Sequence, residues 1–391
     1  MRSWLTYIFL LMVACGTVLT SCSDVLSEEG LGTCDDRAPV RLTISFGESS
    51  PMSRDVDAGS DGTVPELDPT TDLQKAMDAD DVYLLVFDAQ TGLLEYQVKD
   101  LSLSNPAGDD YNTRTLSGTM LATGTGKTVK LVVLANLSQN NITVTLKNST
   151  SLALNNKTNV QAFIDDMIGE DQTTIYEKLI YNYNVTNNGT EGIWDISNRR
   201  IPMWGITVAT QVPSTGTTLD CYLYRAVAKV QIWVNMKKGI QSDYGDFIIN
   251  KIIVNNANDK GYCVHVANEQ PGSDIDVQYK TPKVPSSVET QKIVYNVANT
   301  DSNNDGFNDA REAFSDMIYL PEQDIEEQGL TITIEYKFAG KFDSGTITFE
   351  EDVIRNHSYI FNINKNVNGE IVVNYCVTDW EEKNIDVPSF N

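Results

Sequence analysis

A twelve-residue segment carries the strongest chemical signal in the sequence. Residues 301–312 place oxygen-bearing side chains at the spacing of a calcium-binding loop, with Gly306 at its turn. The expected ligands are side-chain oxygens and one main-chain carbonyl, from Asp301, Asn303, Asp305, Phe307, Asp309 and Glu312. However, Asn308 stands where the pattern has an apolar residue, and residues 293–297 predict a strand instead of an entering helix. A structural calcium site and a solvated acidic loop both remain open.

Residues suited to enzyme chemistry are few. The chain has two histidines, His265 and His357, and it contains neither a Gly-x-Ser-x-Gly nor a His-Glu-x-x-His motif. Residues 124–128 superficially match a phosphate-binding loop, but Leu121 stands where that motif requires glycine. We therefore expect a glycine-rich hairpin turn at 124–128, no enzyme activity and no required cofactor.

The charge of the chain limits its partners. Its 391 residues include 54 Asp and Glu against 29 Lys and Arg, which gives a net charge of −25. Such a surface repels nucleic-acid phosphates, so we exclude nucleic acid as a partner. High acidity is typical of a protein that stays soluble outside the cell. Apolar residues make up 41% of the chain, which favours packed globular domains.

The N-terminus carries a processing signal. Trp4–Val18 is almost wholly apolar and too short to span a bilayer, so residues 1–21 predict a signal peptide. The next residues, 19–22, resemble the lipobox of bacterial lipoproteins, in which the final cysteine is acylated. Cys22 is the predicted lipidation site, and its acyl chains would hold the mature chain on a membrane surface.

The remaining cysteines are far apart in the sequence. They are Cys34, Cys221, Cys263 and Cys376, and none forms a Cys-x-x-Cys pair. This spacing argues against a zinc site and against a disulfide framework. A single disulfide among the last three stays open.

The elements that position these residues are predicted to be strands. Apolar side chains alternate at Val40, Leu42, Ile44 and Phe46, which predicts a half-buried strand. A long polar segment follows, and within it the Arg54–Asp55 bond is a predicted protease site. Many short strands come next, together with one helix over 160–168 that has Asn159 as its expected N-cap.

Five features occur in order along nearly the whole chain. They are the lipobox at Cys22, the strand at 40–46 followed by Arg54, and the motifs Leu223–Val230, Ile354–Ile363 and Cys376–Trp380. Together they resemble the fimbrillins of Bacteroidales, which build type V pili. The expected fold is all-β, with two tandem β-sandwich domains of transthyretin-like or immunoglobulin-like type and a few short helices.

The resemblance also implies a domain order and a mechanism. The expected parts are a signal peptide (1–21), a pro-segment with a removable first strand (22–54), an N-terminal domain (55–218) and a C-terminal domain (219–391). A trypsin-like protease would cut after Arg54, although Arg37 and Arg41 offer competing sites. The strand at 40–46 would then leave, and a donor strand containing Ile385, Val387 and Phe390 of another subunit would replace it.

The expected partners are other fimbrial subunits in a head-to-tail polymer, the processing protease, the outer membrane and ligands on host or bacterial surfaces. The precursor would be lipid-anchored in the outer membrane and the mature subunit would lie in the fimbrium. Three alternatives stay open: an anchor subunit that keeps its first strand, a tip subunit, and a glycan-binding lipoprotein. The last would use an exposed aromatic platform drawn from Trp194, Trp204, Trp233 and Trp380.

Overall fold

The structure is a computed structural model, and the compact unit that begins at Arg37 is described here by itself. The described residues are 37–46, 74–105, 113–183, 186–187, 190–191, 194–196, 198–234, 248–265, 281–296, 318–327, 329–338, 341–365 and 371–379. Among them no helix is long and apolar enough to cross a membrane.

The described residues up to Arg225 contain thirteen strands. They are β1 (Arg37–Phe46), β2 (Val82–Asp88), β3 (Leu94–Val98), β4 (Ser102–Leu103), β5 (Thr113–Leu121), β6 (Val129–Ala135), β7 (Thr143–Thr145), β8 (Ser151–Ala153), β9 (Ile180–Asn182), β10 (Thr186–Asn187), β11 (Thr190–Glu191), β12 (Met203–Ile206) and β13 (Thr217–Arg225). Eight of them form one sheet in the order β3-β2-β6-β12-β13-β1-β5-β4. Strands β2 and β3 are adjacent in the chain and pair antiparallel as a hairpin.

The described residues after Arg225 contain nine further strands. They are β14 (Ala228–Val234), β15 (Ile248–Asn258), β16 (Lys260–Tyr262), β17 (Thr290–Asn296), β18 (Ile318–Leu320), β19 (Thr331–Phe338), β20 (Lys341–Thr348), β21 (His357–Lys365) and β22 (Ile371–Asp379). Two four-stranded sheets result, β18-β14-β21-β22 and β17-β15-β19-β20. The ring of Phe349, which follows β20, lies 5.2 Å from that of Phe361 on β21, and this contact joins the two sheets.

Two α-helices, α1 (Lys157–Asp166) and α2 (Gln172–Lys178), occur in the described chain, together with a 3-10 helix at Ala79–Asp81. The N-cap of α1 is Asn156, not Asn159 as expected. The Asn156 side chain accepts a hydrogen bond from the main-chain N–H of Asn159, so the helix begins three residues earlier. Helix α2 packs its Tyr176 ring against Trp204 of β12, at 6.0 Å between centroids.

The turn at 124–128 forms as predicted, but it does not close a hairpin. The N–H of Lys127 donates to the carbonyl of Gly124, and Gly126 takes a positive φ of 85°. The flanking strands β5 and β6 are separated in the sheet by β12, β13 and β1. The turn therefore joins two strands that do not pair with each other.

The two halves of the described chain are joined by paired strands. Strand β9 from the first half pairs antiparallel with β16 from the second half. Next to this ladder, the hydroxyl of Tyr183 donates to the carbonyl of Tyr319 at 2.6 Å. The N–H of Asn356 donates to the carbonyl of Val227. We refer to these contacts, together with the Glu322–Arg355 ion pair, as the polar junction.

The all-β fold class is confirmed, since strands make up 51% of the structure and helices 9%. The expected boundary between residues 218 and 219 falls inside β13, which belongs to the eight-stranded sheet. The chain passes from that sheet to the next at Ala226 and Val227. The division into two sandwich domains stays a prediction.

Candidate functional site

Strand β1 occupies the interior of the eight-stranded sheet. It pairs in parallel with β13, where Val40 lies beside Thr217 and Phe46 beside Leu223. On its other side it pairs antiparallel with β5. In the strand order, β1 is the link between β13 and the pair β5-β4. Removing it would therefore leave two facing edges with unpaired main-chain groups.

The side chains of β1 alternate as the sequence predicts. The inward residues Ala38, Val40, Leu42, Ile44 and Phe46 are between 0% and 5% exposed. Burial stabilises by roughly 1.5–3 kcal/mol for each large apolar side chain. Four such side chains contribute roughly 6–12 kcal/mol, which is comparable with the entire stability of an ordinary domain. The space that β1 fills, bounded by β5 and β13, is called the β1 groove below.

Two glycines lie in close contacts along the walls of the groove, and at Gly216 the crowded neighbour is β1 itself. A Cβ atom at Gly216, where φ is +89°, would come within 2.4 Å of the carbonyl oxygen of Pro39. A Cβ atom at Gly118, which is paired with Val40, would come within 2.9 Å of the Leu101 and Val98 side chains. Both positions therefore favour glycine for its small size, and Gly216 also for its backbone conformation.

A buried thiol lies beside β1. Cys221 on β13 is the register partner of Ile44, and burial raises the pKa of its thiol to about 12. The second half has a similar thiol at Cys263, whose pKa is also raised to about 12 by burial. Both cysteines are free, so they do not form the disulfide that the sequence left open between them. The side chain of Cys376 lies outside the described residues.

The end of β1 meets a buried arginine. The guanidinium carbon of Arg225 lies 5.4 Å from the centroid of the Phe46 ring, within the range of a cation–π contact. Its Nε donates to the carbonyl of Gln74 at 3.0 Å, and its Nη1 donates to Oδ1 of Asn356 at 3.2 Å. Lys229 adds a contact of 3.5 Å to Oε1 of Gln74. This cluster joins the end of β1 to the polar junction.

Two sequence motifs meet at this cluster. Arg225 belongs to the motif 223–230, and Asn356 belongs to the motif 354–363. Asn356 takes a left-handed backbone conformation with φ 56°, which asparagine tolerates better than most residues do. Their contact was not foreseen from the sequence, where they are 131 positions apart. The available signal was the position of Arg225 within a largely apolar motif that is predicted to be a buried strand.

A buried ion pair is formed by Arg355, the residue that precedes Asn356. Nη2 of Arg355 lies 2.6 Å from Oε2 of Glu322, and both side chains are at most 2% exposed. Arg355 also donates to the carbonyl of Tyr262, the last residue of β16. The ring of His357 contacts the carbonyl of Arg355 at 2.8 Å. These contacts give His357 a structural partner, as expected for a histidine outside any catalytic motif.

The two tryptophans with described side chains belong to the core. Trp194 and Trp204 are 2% and 1% exposed. The guanidinium of Arg199 lies 3.7 Å from the centroid of the Trp194 ring, and burial lowers the pKa of Arg199 to about 10. These two rings therefore give no support to a sugar-binding platform. The side chains of Trp233 and Trp380 lie outside the described residues.

An acidic cavity of about 490 Å³ lies near the start of β21. Four carboxylates and His357 are among its lining residues: Glu326, Glu350, Glu351 and Asp352. No three His, Cys, Asp or Glu side chains of the described chain are grouped so that they could hold a metal ion. The expected calcium loop at 301–312 lies outside the described residues and stays a prediction.

Other predicted site residues also lie outside the described part of the chain. They are the lipidation site Cys22, the cleavage site Arg54–Asp55, and the donor residues Ile385, Val387 and Phe390. The competing cleavage residues Arg37 and Arg41 lie within β1. The expected removable-strand residues Val40, Leu42, Ile44 and Phe46 are buried side chains of β1, and their release stays a prediction.

Comparison with known proteins identifies the family. The sequence model of the fimbrillin-A associated anchor proteins Mfa1 and Mfa2 matches residues 63–386. This chain is therefore a member of the family of fimbrillin-A associated anchor proteins. The expected resemblance to fimbrial proteins is confirmed, and such a family implies a place at the cell surface. A search of curated protein sequences gives no match.

Several solved structures are similar to the chain. A fimbrial assembly protein of Parabacteroides distasonis is 12% identical, with 90% of this chain and 100% of that chain covered and a TM-score of 0.43. A putative cell adhesion protein of Bacteroides eggerthii is 13% identical, with 90% and 98% covered and a TM-score of 0.41. A putative cell adhesion protein of the same Parabacteroides species is 9% identical, with 88% and 97% covered and a TM-score of 0.44.

Proposed function

We propose that this protein is a structural subunit of an adhesive cell-surface fimbria and polymerises by exchanging a β-strand. A trypsin-like protease cuts between Arg54 and Asp55, and β1 leaves the sheet. The last segment of another subunit then fills the β1 groove through Ile385, Val387 and Phe390. The observation that supports this mechanism most directly is the position of β1, which is buried and hydrogen-bonded on both sides.

Burial drives the exchange. An empty groove would expose apolar walls and two strand edges, which together form a strong association site. A strand from another subunit restores both the ladder hydrogen bonds and the apolar contacts. Because each subunit gives one strand and receives another, the contact does not close, and a filament grows.

The location of the cleavage residues favours Arg54. Arg41 is paired with Ser117 on one side and with Thr218 on the other, and Arg37 pairs with Leu121. A protease needs an exposed backbone segment, so β1 protects both bonds while it stays in the sheet. Arg54 follows β1 in the sequence, and a cut there separates the strand from the rest of the subunit.

The N-terminal signal completes the proposed pathway. Acyl chains on Cys22 tether the precursor to the outer membrane, and cleavage after Arg54 removes this tether together with β1. The mature subunit then belongs to the fimbrium. Its adhesion partners are ligands on host or bacterial surfaces.

Limited trypsin treatment tests the proposal. The chain that begins at Ser23 is digested and analysed by mass spectrometry and by denaturing gels without boiling. We expect cleavage after Arg54, followed by a ladder of denaturation-resistant multimers. The variant Arg54→Gln is the control and should stay uncut at this bond and monomeric. A wild-type chain that is cut there and remains monomeric contradicts strand exchange.

A second candidate is an anchor subunit that keeps β1 and its lipid. The description of the matched family as anchor proteins favours it. In this case wild-type protein resists cleavage at Arg54, and the uncut chain binds one cleaved fimbrial subunit through its C-terminal segment. The same digestion therefore distinguishes the two roles.

A further inference from the structure

Arg225 contacts both described ends of the segment that contains the proposed cleavage site. Phe46 is the last described residue before this segment, and Gln74 is the first described residue after it. The Phe46 ring faces the Arg225 guanidinium, and the Gln74 carbonyl accepts its Nε. Arg225 therefore contacts one residue on each side of the proposed cut, Phe46 before it and Gln74 after it.

Arg225 is itself held firmly in place. It is 2% exposed, and both its main-chain N–H and its Nη1 donate to Oδ1 of Asn356. Asn356 is in turn fixed by its own N–H, which donates to the carbonyl of Val227. A buried guanidinium needs a partner on each side, and the aromatic face of Phe46 supplies one of them. An aliphatic side chain at position 46 would fill space but would not attract the cation.

We infer that Arg225 is a latch, a positioning residue that selects an aromatic side chain at the end of the strand in the β1 groove. It holds a cut β1 in place until another strand displaces it. This inference rests on the proposed function, since a latch matters only where β1 can leave. It adds a separate step, because cleavage then permits release of β1 without causing it.

Thiol labelling can follow the release of β1. Cys221 is the register partner of Ile44, and Cys263 is a second buried thiol with the same raised pKa of about 12. Iodoacetamide reacts with the thiolate, and a buried thiol with a raised pKa is seldom ionised. Each cysteine therefore becomes reactive when it is exposed to water. Loss of β1 should expose Cys221 alone, whereas global unfolding should expose both. Cys263 is therefore an internal control within the same chain.

The test uses the uncut chain that begins at Ser23, with Cys34→Ser and Cys376→Ser. A recognition site for a sequence-specific protease is inserted after Arg54, so that every variant is cut at the same bond. The rate of iodoacetamide labelling at Cys221 is measured by mass spectrometry before and after the cut. The variants are Phe46→Leu, Arg225→Gln and the combination of both, which form a double-mutant cycle.

We expect Phe46→Leu to speed Cys221 labelling of the cut chain about tenfold, because leucine keeps the apolar contact and loses the cation–π contact. In the Arg225→Gln background the same change should alter the rate by less than about twofold. Ile44→Val, which removes one methylene from β1 away from Arg225, serves as the matched control and should speed labelling only about fourfold. If Arg225→Gln does not fold, the latch is tested by comparing Phe46→Leu with Ile44→Val. A larger increase in the labelling rate for Phe46→Leu supports the latch, and equal increases reject it.

Four other results would overturn the inference. Equal rates for the wild type and Phe46→Leu, or an equal effect of Phe46→Leu in both backgrounds, reject the latch and leave strand exchange intact. Protection of Cys221 in every cut chain, with no multimers formed, shows that β1 does not leave, which rejects the proposed function as well. Labelling of Cys263 in step with Cys221 assigns release to global unfolding and likewise rejects the latch.

Discussion

The β1 groove and the polar junction hold the molecule together in different ways. In the groove, the contacts are main-chain ladders and apolar side chains that alternate along β1. In the polar junction, individual side chains reach specific acceptors, as Tyr183 does at the carbonyl of Tyr319 and Arg355 does at Glu322. The first set of contacts depends on a pattern, and the second depends on the identity of each residue.

This difference separates an exchangeable contact from a permanent one. Any extended segment with apolar residues at alternate positions can form the ladders and fill the groove. A hydrogen bond to one buried carbonyl requires one donor at one distance, and leaving that group unpaired is costly. The proposed exchange therefore affects the part of the fold that tolerates substitution, and Arg225 is the point where the two kinds of contact meet.

The largest effect is expected in the polar junction. Glu322→Ala leaves the Arg355 guanidinium buried without its carboxylate, and we expect the free energy of unfolding to fall by about 3–5 kcal/mol. Urea denaturation monitored by fluorescence measures it. The control is Glu335→Ala, which removes an exposed ion pair with Lys251 and should cost less than about 1 kcal/mol. Similar losses in both variants would contradict the special role of the junction.

A large effect is also expected at the centre of β1. Leu42 is fully buried between β5 and β13, so Leu42→Ala should lower the free energy of unfolding by about 2–5 kcal/mol. Its neighbour Arg41 faces outward, and Arg41→Ala should change stability by less than about 0.5 kcal/mol. The two variants are compared by urea denaturation of the uncut chain. A small loss for Leu42→Ala would show that the seated strand contributes little to stability.

A moderate effect is expected where a glycine lets β1 approach its neighbour. Gly216→Ala costs about 1–2 kcal/mol for the positive φ and about 1–3 kcal/mol more for the contact with Pro39. Gly92 has a similar φ of +72° with no atom within 4 Å of its Cβ position, so Gly92→Ala should show the first cost alone. Thermal unfolding of both variants measures the difference. An equal loss of stability in the two variants would show that the contact with Pro39 contributes nothing and that the positive φ accounts for the whole effect.

The smallest effect is expected from calcium. If residues 301–312 bind the ion, calcium at ten times its Kd should stabilise the chain by about 1.4 kcal/mol. Titration calorimetry checks binding, with Asp305→Ala as the control. The absence of binding at millimolar calcium would reject the site.

The strands that the sequence predicted best are those with a simple pattern. Strict alternation at 40–46 located β1 and the face that it buries, because a period of two has one structural meaning. The cluster around Arg225 was not foreseen, since it depends on which distant segments meet, and hydrogen-bonding potential alone does not specify partners. The start of α1 was misplaced for a related reason. Asn156 and Asn159 are both good caps, and only the extended backbone of Asn156 decides between them.

The pairing of β1 with β13 also sets the order in which the chain can fold. Val40 and its partner Thr217 are 177 positions apart, so the eight-stranded sheet stays incomplete until more than half of the chain has been made. Such distant contacts close slowly, because a long loop must be ordered before the contact stabilises it. Until then β1 can pair only with β5, and its other edge stays open while the chain is still incomplete.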